Sequence, residues 1–87
     1  MIGYVYILSG AGSQRYYVGS TIDPIHRLKQ HNGNQVIATR GKGPWEIVLL
    51  QQYETITRAR QIERRVKLLK SRVILKQMIE DGVIRLK

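Results

Sequence analysis

Tyr4, Tyr6, Tyr17, Arg27, His31 and Glu63 are the residues of this 87-residue chain whose types and spacing can do chemistry. A guanidinium can grip an anion's oxygens, and a carboxylate can hold a hard cation. Phenol and imidazole can move protons. Tyr4 and Tyr6 stand two apart and share one face of a strand. Arg27 and His31 stand four apart and project from one side of a helix. Each residue also has a bland account. Strand tyrosines often line the edge of a core, and Arg27 and His31 suit an exposed helical face. Glu63 can pair with Lys67 one helical turn on.

Several chemistries are excluded. With no cysteine there is neither a disulfide nor a thiolate zinc site. His26 and His31 are five apart, so they do not stack as paired zinc ligands. The Gly41-Lys42-Gly43 stretch is too short for a phosphate-binding glycine loop, which argues against nucleotide-driven chemistry.

Charge points to a polyanion. The net charge is +9, and seven of those nine charges lie between Thr57 and Lys76. That segment holds Arg58, Arg60, Arg64, Arg65, Lys67, Lys70, Arg72 and Lys76 against the single acid Glu63. Such a patch binds phosphate backbones by releasing their counterions. A solvated helical face is the simpler alternative.

The elements that must position these residues can be read from patterning. Gly3 to Ser9 is an apolar run rich in Tyr, Val and Ile, a buried strand. Arg15 to Gly19 is a second strand, joined to it by a loop containing Gly10, Gly12 and Ser13. Asp23-Pro24 starts a helix that runs to Asn32 and stops at Gly33, with Ile25 and Leu28 facing inward. Gly33 to Pro44 reads as a long functional loop, and Trp45 to Tyr53 as a third strand. A second helix begins near Thr57, with Ala59, Ile62, Val66 and Leu69 as its apolar stripe. Glu63 lies about 40° round the wheel from Ala59, at the edge of that stripe. A third helix follows Ser71, turns Ile74, Leu75, Met78 and Ile79 inward, and stops at Asp81-Gly82. Val83 to Leu86 forms a short strand or a docked tail. The order β-β-α-β-α-α predicts an α+β fold, a small three-stranded, mainly antiparallel sheet flanked by helices.

Residues 1–87 are expected to form one domain with a thin core. No stretch reaches the roughly 20 apolar residues that span a bilayer. Ile2 to Leu8 is too short for a signal peptide, so a cytoplasmic location and no membrane partner are expected.

The ordered residues resemble the GIY-YIG nuclease family over nearly the whole chain. Tyr4-Val5-Tyr6 stands for the first signature triplet and Tyr17-Val18-Gly19 for the second, with ten residues between Tyr6 and Tyr17. Gly19-Ser20-Thr21, Arg27, His31-Asn32-Gly33 and Glu63 follow in the family's order. Thr39-Arg40-Gly41, Gly43-Pro44-Trp45 and Glu63-Arg64-Arg65-Val66-Lys67 look like its small stand-alone bacterial branch. Tyr4 and Val5 replace the Gly and Ile of the first triplet. The Asn that some larger members carry beyond the Glu has no counterpart among Lys70, Arg72, Lys76 and Gln77.

The resemblance implies phosphodiester hydrolysis by water with one divalent metal, Mg²⁺ or Mn²⁺, held by Glu63. Arg27 would bind the non-bridging oxygens. Tyr6 would act as base, with a phenolate made accessible by Arg27 and the cation, and Tyr17 and His31 would orient it. His31 as base is the alternative. Products would carry a 5′-phosphate and a 3′-hydroxyl. Arg40, Lys42, Arg60, Arg64, Lys67 and Lys70 would grip the nucleic acid, DNA rather than RNA. Phosphate contacts carry no base sequence, so branched, flapped or single-stranded DNA is the expected substrate. A non-catalytic binding module, or a subunit active only with a protein partner or second copy, are the rival readings.

Overall fold

The computed structural model describes residues 1–86. Three strands, β1 (Gly3–Gly10), β2 (Tyr16–Thr21) and β3 (Trp45–Tyr53), form one sheet in the order β2-β1-β3. Both pairings are antiparallel. Three helices complete the fold: α1 (Pro24–Asn32), α2 (Ile56–Leu68) and α3 (Arg72–Asp81). The expected α+β fold and element order are therefore present.

Strand alternation divides the sheet into two faces. In the β1–β2 register Tyr6 lies opposite Gly19 and Leu8 opposite Tyr17. Those residues share one face, where Tyr6, Leu8 and Trp45 are buried with Tyr17, Leu28 and Ile47 against them. Val5, Ile7 and Val18 point the other way. They join Leu49, Ala59, Ile62, Val66, Met78 and Ile84 in the larger core beneath α2 and α3. A bulge in β3 leaves Val48 without a register partner between Leu49, opposite Ile7, and Ile47, opposite Leu8. It lets apolar side chains of β3 serve both clusters.

The helix starts follow the capping rules. Asp23 accepts from the His26 amide at 3.1 Å, Thr55 from Arg58 at 3.0 Å and Ser71 from Ile74 at 3.2 Å. Each satisfies an amide that the first helical turn leaves free. Gly82 ends α3 in the left-handed region, at φ 73°, where a side chain would be strained.

Three inward assignments from patterning fail. Ile25 is 64% exposed. Pro24, Arg27, Leu28 and His31 make the inward side of α1, and Ile25 lies about 100° round from Pro24. Leu69 is 39% exposed, because α2 ends at Leu68 and Lys70 turns the chain at φ 48°. Ile74 is 41% exposed, while Leu75, Met78 and Ile79 carry the packing of α3. The Gly33–Pro44 segment is also more ordered than a loop, since Ile37–Thr39 forms a 3-10 turn. Val83 to Leu86 forms no strand. It docks as a tail, with Ile84 buried and its amide donating to Gln51 Oε1 at 2.8 Å.

Ile7 is fully buried at the centre of the larger cluster. Replacing it by alanine removes three carbons and leaves a cavity, so Ile7→Ala should cost about 3 kcal/mol. Urea denaturation of both proteins measures the difference, and a loss below about 1 kcal/mol would mean that the core can collapse around the gap.

Candidate active site

Three polar residues from three elements meet on the α1 face of the sheet. Tyr6, on the central strand, places its hydroxyl 2.9 Å from His31 Nε2. His31 is brought there by the last turn of α1, and its Nδ1 lies 2.7 Å from Thr39 Oγ1. Thr39 comes from the 3-10 turn and donates weakly to the Val36 carbonyl at 3.4 Å. With the Thr39 hydrogen so directed, Nδ1–H donates to Thr39 and Nε2 accepts from Tyr6. Tyr6 is 2% exposed, and His31 and Thr39 are fully buried. Tyr17 leans on this group, its ring centroid 5.0 Å from His31 and 6.4 Å from Tyr6.

Gly19 makes the group fit. A Cβ there would overlap the Tyr6 hydroxyl and ring. The glycine of the second triplet is thus the seat of the tyrosine of the first. Asn32, the last residue of α1, ties the helix to β3. Its side chain accepts from the Trp45 amide at 2.6 Å and donates to the Trp45 carbonyl at 3.1 Å. The Trp45 indole donates to the Thr39 carbonyl at 3.2 Å, fixing the turn that carries Thr39.

Burial holds His31 neutral. Its pKa falls to about 4, through desolvation first and the nearby Arg27 charge second. The Tyr6 phenol is pushed above its ordinary value, because burial outweighs its interaction with the Arg27 guanidinium, and Tyr17 and Glu63 raise it further. Arg27 acts in the expected direction, lowering the phenol's pKa, but in the free protein burial outweighs it. Tyr6 stays protonated at neutral pH and donates to the imidazole.

Glu63 arrives from the opposite face. Ser20 alternates with Gly19, so its side chain turns toward α2, where its hydroxyl donates to Glu63 Oε1. Glu63 Oε2 pairs with Lys67 Nζ at 2.6 Å, one helical turn on. The Lys67 ammonium also lies 5.4 Å from the centroid of the Tyr17 ring, so it reaches the rim of the edge strand. Among the described residues no three His, Cys, Asp or Glu side chains gather as a metal cage. A Mg²⁺-like ion does not need one, since it keeps most of its ligands as water and phosphate around one or two carboxylates. A carboxylate beside a hydroxyl, already drawing one cation to itself, fits that pattern.

Arg27 lies on the inward side of α1, its Nη1 donating to Gln30 Oε1 at 3.0 Å. Arg60 and Arg64 are exposed on α2, and Lys70 is exposed just beyond it. Arg40 and Lys42 are tied to their own loop, Arg40 to the Asn34 carbonyl at 3.2 Å and Lys42 to the Ala38 carbonyl at 3.3 Å. The sequence reading placed no role on Thr39, Ser20 or the Asn32 side chain. A buried imidazole needs a partner for each nitrogen, but the sequence carries no signal that His31 is buried or that Thr39 is the partner.

Known proteins resemble this chain in sequence and in fold. The family model described as the GIY-YIG catalytic domain matches residues 2–77. A UPF0213 protein of Oceanobacillus iheyensis is 39% identical over 65 residues, 74% of this chain and 74% of that protein. The solution structure of a UPF0213 protein from Bacillus halodurans superposes with a TM-score of 0.58 at 33% identity, covering 92% of this chain and 84% of that one. A Trypanosoma cruzi structure-specific endonuclease subunit SLX1 homolog is 45% identical over 51 residues, 51% of this chain. The match spans about 10% of that relative's length. No helix among the described residues is long and apolar enough to cross a membrane.

The depressed His31 pKa has a consequence for stability. Between about pH 6.5, its unfolded value, and about pH 4, its folded value, the unfolded chain binds the extra proton. His31 therefore contributes stability that is present above pH 6.5 and lost as pH falls through this window. Wild type should lose on the order of 2 kcal/mol more than His31→Gln between pH 7 and pH 4.5. Urea melts at the two pH values test this, and equal losses would show that the imidazole is not held neutral.

Proposed function

Because the chain belongs to the GIY-YIG family, with a UPF0213 protein among its relatives, we propose that it is a metal-dependent endonuclease hydrolysing phosphodiester bonds of DNA. Residues 1–87 act as one catalytic unit. The observation that carries the reading is the pairing of a buried Tyr6–His31–Thr39 hydrogen-bonded chain with a carboxylate, Glu63, held by Ser20 at the same strand edge. A module that only binds nucleic acid has need of the surface charge but not of this buried chain.

Glu63, with the Ser20 hydroxyl beside it, would hold the Mg²⁺ or Mn²⁺ ion. When bound, the ion supplies positive charge for the developing phosphorane and the leaving 3′ oxygen. Arg27 grips the non-bridging oxygens with its planar fork. The oxygen of an attacking water bonds to phosphorus in line with the breaking bond to the 3′ oxygen. Its proton passes to the Tyr6 oxygen as the Tyr6 hydrogen moves to His31 Nε2. Neutral His31 is a weak acceptor, and negative charge building on the phosphate beside it strengthens it. Thr39 holds the imidazole in the tautomer this transfer requires. The 3′ oxygen leaves with the bonding pair and takes a proton from solvent, and His31 releases its extra proton to solvent. The products carry a 5′-phosphate and a 3′-hydroxyl.

Arg60, Arg64, Lys67 and Lys70 lie along one basic surface that suits a phosphate backbone, with Arg40 and Lys42 on the loop. Such contacts do not read base sequence, which favours branched, flapped or single-stranded substrates. The SLX1 relatives are named as structure-specific endonuclease subunits. That naming supports a second reading, in which this chain cuts only with a protein partner or a second copy.

Glu63→Ala should lower cleavage of branched or single-stranded DNA in Mg²⁺ or Mn²⁺ by roughly a hundredfold or more. Binding to the same DNA should be retained. Equal cleavage by both proteins would remove Glu63 from the chemistry, and no cleavage by wild type would favour the subunit or binding reading.

Lys67 occupies the carboxylate that the metal must share. Lys67→Met should therefore bind Mn²⁺ several-fold more tightly than wild type in calorimetry without DNA. Unchanged affinity would place the metal elsewhere.

A further inference from the structure

Beyond Tyr17 the outer edge of β2 and the turn from α2 to α3 enclose a cleft of about 460 Å³. Its size falls within the range of sites that hold small organic groups. Tyr16, Val18 and Leu75 make an apolar floor, and Arg15, Lys70 and Arg72 bring positive charge to its walls. Among the described residues no acidic side chain lines it. The Arg72 guanidinium lies over the Tyr16 ring, 4.3 Å from its centroid. Tyr17 and Lys67 line the cleft too, and both border the candidate active site.

An apolar floor with a guanidinium–aromatic stack and a cationic wall matches two parts of one ligand. Nucleobases stack on aromatic rings and on arginine planes. Lysine and arginine take the phosphate joined to them. A base inside a duplex cannot enter, because its faces are covered by its neighbours and its edge by its partner. The entering base must be unpaired.

We propose that this cleft receives one unpaired nucleotide of the DNA being cut, its base against the Tyr16–Arg72 stack and its phosphate between Arg15 and Lys70. Through Tyr17 and Lys67 the bound nucleotide lies next to the scissile phosphate. The cleft thereby selects DNA with an unpaired nucleotide at the cleavage point over continuous duplex. This assignment rests on the nuclease reading for its substrate, while the binding event itself needs neither metal nor Glu63.

The test uses 2-aminopurine, placed either as a single unpaired nucleotide at a duplex junction or within the paired strand, titrated with the whole protein in EDTA. Wild type should quench the unpaired fluorophore and bind that DNA about tenfold more tightly than the paired form. Arg72→Lys keeps the charge but not the planar stack, and Tyr16→Leu removes the ring. Both should lose most of the quench and bring the preference below about twofold. Arg72 is exposed, so its variant remains informative if Tyr16→Leu does not fold. Equal quenching by Arg72→Lys and wild type, or no preference in wild type, would overturn the assignment. So would free deoxyadenosine monophosphate competing at the affinity of the junction DNA, which would make the cleft a nucleotide site unrelated to substrate. Because EDTA removes hydrolysis, a failure here leaves cleavage standing, and a protein that never cleaves can still show the quench.

Discussion

The site depends on β2 being an edge strand. Tyr17 and Gly19 face α1, while Ser20, the next residue, faces α2, as strand alternation requires. In a central strand the two faces would be walled apart by neighbours on either side. At the edge only one backbone separates them, and groups from both faces can approach the same rim. Lys67 illustrates the consequence: it pairs with Glu63 on the α2 side and still lies near the ring of Tyr17. An arginine–imidazole–phenol group and a carboxylate can therefore flank one phosphate although they belong to different cores.

That arrangement sets opposite electrostatic demands on the two sides. The α1 side is dry, so its imidazole is neutral and its phenol protonated. The α2 side is wetter, the Glu63 side chain being 20% exposed, and its carboxylate sits between the Lys67 ammonium and the Ser20 hydroxyl. Removing Ser20 would free one oxygen without unburying the acid, whereas removing Gly19's vacancy would displace Tyr6 from its seat. The two adjacent residues of β2 thus hold different halves of the proposed site. Neither half is rigid through its own element alone.

Most of the fold could be read from the chain because its elements carry local signals. Caps at Asp23 and Ser71, a stop at Gly82 and the alternation of Tyr4, Tyr6 and Leu8 are all written within a few residues. Inward assignments failed where local periodicity had to predict tertiary fit. Ile25 is apolar, but the inward side of α1 is taken by Leu28 and by polar Arg27 and His31, which have a site to build. Leu69 continued the stripe of α2 on paper, yet the helix ended first. Tyr6, Tyr17, Arg27 and His31 could be grouped from their order, and Glu63 from its isolation among bases. Thr39 could not, because it reaches His31 only through a turn whose conformation is set by Asn32 and Trp45, partners 7 and 6 residues away in sequence.

The same bonds that orient the imidazole also hold the chain together. A domain of this size buries little apolar surface, and its second core has just Tyr6, Leu8 and Trp45 at its centre. The segment between α1 and β3 has few apolar anchors of its own, with Ile37 83% exposed. It is held instead by the Asn32 clamp on Trp45, the indole bond to Thr39 and the Thr39–His31 contact. Polar bonds in a dry interior are strong while complete and costly when one member is lost. A change at Thr39 therefore acts on the tautomer of His31 and on the order of the loop at once. In so small a fold the proposed proton path is also part of the scaffold, so loss of activity at these positions is separable from loss of stability only by measuring both.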